Sequence, residues 1–305
     1  MTQPIPIRMG GYGPPTTGFS LALKRIGDTL ATRFGDRVDV KYVWNIMDFG
    51  YRAEDILWLV ESGVLTLGYQ SSSYLTARVP ELSFADLPFL FADTKAARAA
   101  IDGALGRRLA GAIEHKTGFR ILGWYENGFR HISNRVRAIH TPADLKGIRI
   151  RVLPSKIHEC TFASLGATPL VMDLTEAIRG IKDGTIDAQE NPLANTLTYD
   201  IHKHHRFHTI SRHFYVSRPI FLHRAAFDAW PADLQEAMRE AVADSVTFQR
   251  GLHVEEEEAA ARTIKATGGE IAELDAAQHD AFVAAVQPVL AEARELWGDD
   301  LFRLA

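Results

Sequence analysis

The chain has 305 residues, a formal net charge of −4 and one cysteine, Cys160. Its length allows two lobes, and its apolar and charged fractions of 46% and 24% are ordinary for a globular protein. The small charge argues against general nucleic-acid binding, no apolar run reaches the ~20 residues that cross a bilayer, and a single cysteine allows no internal disulfide.

The N-terminal part of the chain alternates strands with helices. Residues 1–4 lack the basic and apolar regions of a signal peptide, so the leader was either removed or never present, and the sequence favours neither. We then expect strands at residues 4–9, 38–44 and 64–69, with helices at 17–34 and 53–62 between them. This βαβαβ order predicts a parallel sheet covered by helices.

A second α/β unit begins near Trp124. We expect strands at residues 134–139 and 148–153, helices at 158–165 and 174–183, and a turn at Asn191-Pro192. The longest helical pattern runs from Pro231 to about Thr267, and at 1.5 Å per residue such a helix measures ~50 Å, longer than one small lobe. We therefore expect it to run across two lobes, with the four glutamates at 255–258 as a solvated face.

Two stretches of the second unit carry the chemistry. Arg151 ends the apolar strand 148–153, where a guanidinium can meet a carboxylate with two parallel hydrogen bonds. Forty residues later, Asn191 offers an amide in a turn. These side chains predict a site for a small organic anion.

Several motifs, taken in order, resemble the solute-binding proteins of tripartite ATP-independent periplasmic (TRAP) transporters, the DctP-like family. The matching segments are 77–81 (ARVPE), 86–91 (DLPFLF), 123–130 (GWYENGFR), 141–152 (TPADLKGIRIRV), 165–169 (LGATP), 184–192 (GTIDAQENP) and 230–235 (WPADLQ). The resemblance implies an α/β, two-lobed, periplasmic-binding-protein-like fold, with a long helix bridging both lobes and a hinged central cleft. It implies an N-terminal lobe of residues 1–127 plus about 217–256, and a C-terminal lobe of 128–216 plus about 257–305.

The resemblance also implies roles for particular residues. Arg151 would pair with the ligand carboxylate, and Arg130 and Asn191 would assist it, although Arg130 could instead brace the sheet. His213 lies where many members have a histidine. Leu174 stands where the family often has a ligand-stacking phenylalanine, and residues 45–52 also depart from the family pattern, so both differences concern which ligand is bound.

The N-terminal lobe must supply the other side of the site. Tyr12, Asn45, Gln70 and Ser71 follow strands, at the carboxyl ends where ligands collect in open α/β sheets. Each of them could equally be a loop residue in solvent. Trp124 could line an apolar wall, but a place in the core is the more common fate of tryptophan.

Other chemistries have weaker support in the sequence. His204 and His208 would share a helix face, as zinc ligands do, but no acid in that run completes a set, so we expect no metal and no cofactor. No Gly-x-Ser-x-Gly, phosphate-loop or His-Glu-x-x-His motif occurs, and we expect no enzyme.

The resemblance therefore implies a periplasmic binding protein, and we expect it to be a monomer. It would capture a small monocarboxylate or dicarboxylate by hinge closure and deliver it to the membrane subunits of a TRAP transporter, without itself entering the membrane. The alternatives are a lyase, isomerase or hydrolase acting on an organic acid, or a ligand-sensing module.

Overall fold

The structure is a computed structural model that describes residues 3–305. Its strands are β1 (Ile5–Gly10), β2 (Val38–Val43), β3 (Leu67–Tyr69), β4 (Phe119–Asn134), β5 (Arg149–Val152), β6 (Thr168–Val171), β7 (Ala188–Asn191), β8 (Phe207–His223) and β9 (Glu270–Glu273). Its α-helices are α1 (Gly18–Phe34), α2 (Ile56–Glu61), α3 (Thr94–Asp102), α4 (Ala104–Lys116), α5 (Lys156–Ser164), α6 (Leu174–Asp183), α7 (Leu193–Thr198), α8 (Arg224–Asp228), α9 (Ala232–Ala266), α10 (Ala276–Ala285) and α11 (Gln287–Phe302).

The chain forms two compact units. Unit 1 comprises the chain up to Ser71, Arg108–Glu126 and Ser217–Glu255, and unit 2 comprises Ser72–Arg107, Asn127–Val216 and Glu256–Ala305. This division differs from the one expected from the sequence at Ser72–Arg107, which belongs to unit 2 and not to the N-terminal lobe. The reason is that side chains of this segment hydrogen-bond within unit 2, as the site described below shows.

Unit 1 is built on a parallel core of three strands. β1 lies between β2 and β3 and is parallel to both, while β3 pairs with the last part of β8 in antiparallel fashion, Tyr69 opposite Ile220. The apolar stripe of α1, which includes Leu23 and Ile26, is fully buried. The βαβαβ order expected from the sequence is confirmed.

In unit 2, β5 lies between β6 and β7 and is parallel to both. The last residues of β4 pair with β7 in antiparallel fashion, His131 opposite Asn191. The strand expected at residues 134–139 is wrong, because β4 ends at Asn134. The Asn134 side-chain oxygen accepts hydrogen bonds from the backbone N–H groups of Val136 and Arg137 at 2.8 and 2.9 Å, and this turn ends the strand.

The long helix α9 has 35 residues, and its bounds are close to those expected. Its residues up to Glu255 belong to unit 1 and those from Glu256 to unit 2, which confirms that it serves both. The expected solvated face is only partly correct. The Glu257 carboxylate accepts hydrogen bonds from the N–H groups of Leu193 and Ala194 at 3.2 and 2.7 Å, and so caps the start of α7.

Among residues 3–305, none of the helices combines the length with the apolar composition that crossing a membrane requires.

A close helix–sheet contact in unit 1 gives a test of this packing. A Cβ added to Gly27 of α1 would clash with the Tyr42 hydroxyl and lie 2.8 Å from Met9 Cε. We expect Gly27→Ala to lower the free energy of unfolding by about 1–3 kcal/mol, because overpacking forces the neighbours to move. Gly111→Ala in α4 is the matched control, since a Cβ there meets nothing within 4 Å.

The control should raise the unfolding free energy by up to about 1 kcal/mol, because alanine is the better helix former. Urea denaturation measures both variants. Effects of the same sign at the two positions would contradict the close contact at Gly27.

Candidate ligand-binding site

The Arg151 guanidinium is the centre of the candidate site in unit 2. Arg151 lies on β5 and is only 1% exposed. Its Nε and Nη2 donate to the Met172 carbonyl, both at 3.1 Å, and Nη2 also donates to the Tyr74 hydroxyl at 2.9 Å. All these acceptors are neutral, and no carboxylate within residues 3–305 forms an ion pair with this arginine. The protein holds the guanidinium in place without balancing its charge.

Tyr74 fixes both Arg151 and the start of α6. Its hydroxyl accepts a second hydrogen bond, from the backbone N–H of Leu174 at 3.1 Å. Leu174 is buried, and Asp173 caps the helix by accepting from Thr175 N–H at 2.8 Å. Sequence reasoning missed Tyr74, although it lies directly after the polar run at 70–73. Ligand contact by Leu174 stays a prediction.

Arg130 differs from Arg151 because its charge is balanced within the protein. Its Nε and Nη2 both donate to the Glu190 carboxylate, Nη2 lying 2.9 Å from Oε1, and Nη2 also donates to the Glu190 carbonyl. Both side chains are buried, at 1% and 0% exposure. The pairing favours the role of bracing β4 against β7, the alternative left open by the sequence, over direct contact with a ligand carboxylate.

Glu190 also contacts two buried histidines. Its carboxylate oxygens lie 3.5 Å from His213 Nε2 and 3.9 Å from His158 Nδ1. Burial alone would raise the pKa of Glu190, but Arg130 and His213 outweigh burial and hold the pKa well below its usual range. Burial lowers the pKa of His213, and its Nδ1 lies 2.7 Å from the Ser211 hydroxyl. His213 therefore belongs to this ionic cluster, and contact with a ligand stays a prediction.

Asn191 lies on the same face of the sheet as Arg151. Arg151 is opposite Gln189 in the parallel ladder, and Asn191 is two residues further along β7, so its side chain points to the face that Gln189 shares and Glu190 does not. The Asn191 amide nitrogen donates to Gln189 Oε1 at 3.2 Å. The Asn191 Oδ1 accepts no hydrogen bond from residues 3–305. An acceptor is thus available beside the guanidinium.

Two of the polar residues predicted in unit 1 are engaged locally. The Gln70 amide donates to the Ala53 carbonyl at 2.8 Å and accepts from the Ser71 N–H at 2.9 Å. The Asn45 side chain caps a short 3-10 helix by accepting from Met47 N–H at 3.2 Å. These hydrogen bonds give the polar side chains a local structural role that needs no ligand. Ligand contact by Gln70, Ser71 and Asn45 stays a prediction.

The predicted aromatic residues of unit 1 are buried. Trp124 is 6% exposed on β4, as expected of a core tryptophan. Tyr12 is 2% exposed, and its ring centroid lies 5.3 Å from that of Tyr69. Both tyrosine rings face the guanidinium of Arg218, which sequence reasoning did not single out because it lies inside an apolar strand.

The histidine-rich stretch shows no metal geometry in the described part of the chain. No group of three or more histidine, cysteine, aspartate or glutamate side chains within residues 3–305 is arranged to hold an ion. His204 and His208 do not share a helix, because β8 begins at Phe207. His205 Nδ1 instead lies 2.9 Å from the Ser133 hydroxyl, and His208 Nε2 lies 3.0 Å from the His205 carbonyl.

Comparison with known proteins identifies the family. Residues 11–296 match the model of DctP, described as bacterial extracellular solute-binding protein, family 7, and the chain belongs to this family. A solute-binding protein of Verminephrobacter eiseniae is 31% identical over 91% of this chain and 82% of its own length. The family resemblance seen in the sequence is thereby confirmed.

Two solved structures are closely similar. The sugar acid binding protein DctPAm of Advenella mimigardefordensis, in complex with galactonate, has a TM-score of 0.93 and 26% identity, covering 99% of this chain and 97% of that one. A TRAP periplasmic solute binding protein of Sulfurospirillum deleyianum, with bound succinate, has a TM-score of 0.91 and 25% identity, covering 99% and 98%. The two-lobed α/β fold class is confirmed.

The buried ion pair can be tested against an exposed one in the same unit. We expect Glu190→Gln to lower the free energy of unfolding by about 3–5 kcal/mol, because it leaves the Arg130 charge buried without a counter-ion. The control is Asp187→Asn, which breaks a pair with Arg149, a side chain 46% exposed. That change should cost about 1 kcal/mol or less. Chemical denaturation followed by circular dichroism measures both, and equal losses would contradict the bracing role.

The buried histidines predict a pH dependence of stability. Burial lowers the pKa of His205 to about 3 and of His208 to about 4, from an ordinary value of 6.5. Between the folded and the unfolded pKa values, the unfolded chain binds protons that the folded chain does not. The free energy of unfolding is therefore unaffected by these histidines above about pH 6.5 and falls as the pH decreases below it, by up to about 1.4 kcal/mol per pH unit per histidine.

Urea denaturation between about pH 7 and about pH 5 measures this slope, in a range above the titration of ordinary carboxylates. His205→Gln should make the slope shallower. A slope that the substitution leaves unchanged would contradict the assignment.

Proposed function

We propose that the chain binds a small organic acid through Arg151 and presents it to the membrane subunits of a TRAP-type transporter. The observation that supports this most is the guanidinium of Arg151, which is 1% exposed and whose hydrogen-bond partners among residues 3–305 are all neutral. An unpaired buried charge costs several kcal/mol, and a ligand carboxylate removes that cost. Arg130 does not compete for this role because Glu190 already pairs with it.

The hydrogen bonds of Arg151 indicate how a carboxylate binds. An arginine has five N–H donors. Nε and Nη2 use theirs on Met172 and Tyr74, so the two donors of Nη1 remain for the ligand within the described part of the chain. Asn191 Oδ1, on the same face, is an acceptor suited to a hydroxyl group. This pair of functions suits a hydroxylated organic acid.

The family and its ligands agree with this chemistry. The two structural relatives carry galactonate and succinate, which are both carboxylates. We extend to this chain the extracytoplasmic location, the delivery to TRAP membrane subunits and the release of the ligand without chemical change. Closure of the lobes on the ligand and a monomeric state stay predictions.

The central role of Arg151 is tested by a conservative substitution. We expect Arg151→Lys to weaken binding of an organic acid by about 100-fold, equivalent to ~2.7 kcal/mol, because lysine cannot keep both the protein bonds and the ligand bonds of the guanidinium. A thermal-shift screen with galactonate and succinate first selects the acid, and calorimetry then measures the dissociation constant.

The matched control is Arg149→Lys, two residues earlier on β5, because Arg149 is partly exposed and pairs with Asp187. It should bind the acid as the unsubstituted chain does. Nearly unchanged binding in Arg151→Lys would refute the proposal. Recovery of a chemically altered acid by NMR after incubation would instead indicate the enzyme alternative.

A further inference from the structure

Arg218 in unit 1 is a buried cation that has no counter-charge among residues 3–305. It lies on the last part of β8 and is 3% exposed. Its Nε is buried without a hydrogen-bond partner. Within residues 3–305, none of its N–H groups donates a hydrogen bond and no carboxylate forms an ion pair with it. Burying a guanidinium in this way is costly unless an anion completes the environment.

Three aromatic rings hold this cation in place. The guanidinium carbon lies 4.0 Å from the centroid of Phe19, 5.2 Å from that of Tyr12 and 5.7 Å from that of Tyr69. Phe19 is stacked on Tyr69 at 5.1 Å, so the rings support one another. Cation–π attraction offsets part of the desolvation, but a ring face accepts none of the in-plane N–H groups. Among residues 3–305, the N–H donors of Arg218 therefore have no acceptor.

Other arginines of unit 1 are treated differently. Arg25 also lies over a ring, 4.8 Å from the centroid of Phe248, but it is exposed and hydrogen-bonds to Asp244. Arg224 donates to the carbonyls of Glu114 and Thr117 at 2.6 and 2.8 Å. Stacking on a ring does not by itself deprive an arginine of partners in this unit. The lack of partners is particular to Arg218 among these three.

We propose that Arg218 is a second anion-binding centre of this chain and that it takes a carboxylate group. The choice of carboxylate rests on the proposed function, in which organic acids are the ligands. A single guanidinium surrounded by apolar ring faces is balanced by one negative charge and is bonded through its planar edge, which suits a carboxylate. The carboxylate belongs to an organic anion that binds at Arg218 within unit 1, separately from the acid at Arg151.

Titration with succinate and butyrate tests the proposal. These acids share a four-carbon chain and differ by one carboxyl group. We compare the unsubstituted chain, Arg218→Gln and the control Arg25→Gln by calorimetry. If a separate anion binds, two butyrates bind per chain and Arg218→Gln reduces this to one.

This reduction supports the proposal, and Arg25→Gln should change the binding of neither acid. Unchanged affinity and stoichiometry for both acids in Arg218→Gln would overturn it. The proposed function is judged separately by Arg151→Lys, since loss of binding there with no effect at Arg218 refutes only the second centre. An effect at Arg218 with none at Arg151 refutes only the proposed function.

The thermal stability of the chain without ligand tests the proposed centre at Arg218 even if neither acid binds. In buffer free of organic anions, we expect Arg218→Gln to have a higher Tm than the unsubstituted chain, because a buried charge without a counter-ion has been removed. A purely structural arginine held by its rings predicts the reverse. A lower Tm, or failure of the variant to fold, would therefore overturn the second anion-binding centre.

Discussion

A buried guanidinium needs both hydrogen-bond acceptors and a counter-charge. Three buried arginines of this chain meet that requirement to different extents. Arg130 has both, from Glu190, and is structurally complete. Arg151 has acceptors from Met172 and Tyr74 but no counter-charge within residues 3–305. Arg218 has aromatic rings against it, and within residues 3–305 it has neither a hydrogen-bond acceptor nor a counter-charge. The three arginines thus differ in how many of their hydrogen bonds and how much of their charge the described residues balance. An anionic ligand would lower the free energy most at the two arginines that lack a counter-charge.

The setting of Arg151 depends on elements from distant parts of unit 2. The parallel ladder places Arg151 opposite Gln189, which aligns Asn191 on the same face. The start of α6 supplies the Met172 carbonyl just before its capping residue. Tyr74 comes from Ser72–Arg107, the segment that the sequence assigned to the other lobe. The assignment of Ser72–Arg107 to unit 2 therefore affects the candidate site directly, because the Tyr74 hydroxyl joins Arg151 to the start of α6.

Local sequence patterns predicted much of the fold. The features that were not predicted depend on contacts between residues far apart in the sequence. The alternation of strands and helices and the length of α9 follow from apolar periodicity, which is a property of neighbouring residues. Arg151 and Asn191 were found because motifs place them at the ends of strands. Glu190 as the partner of Arg130 lies 60 residues away, and Tyr74 lies 77 residues from Arg151. The spacing of Asn45 before Met47 and Asp48 is a local capping pattern, and reading it would have weakened the ligand assignment.

Glu257 joins the long helix α9 to the start of α7 in unit 2. Glu257 belongs to the part of α9 that lies in unit 2. Its carboxylate accepts hydrogen bonds from the first two backbone N–H groups of α7, directly after Asn191-Pro192. The backbone that leads from Asn191 into α7 is therefore held by a charged side chain of the long helix as well as by the pairing of β7 with β4 and β5.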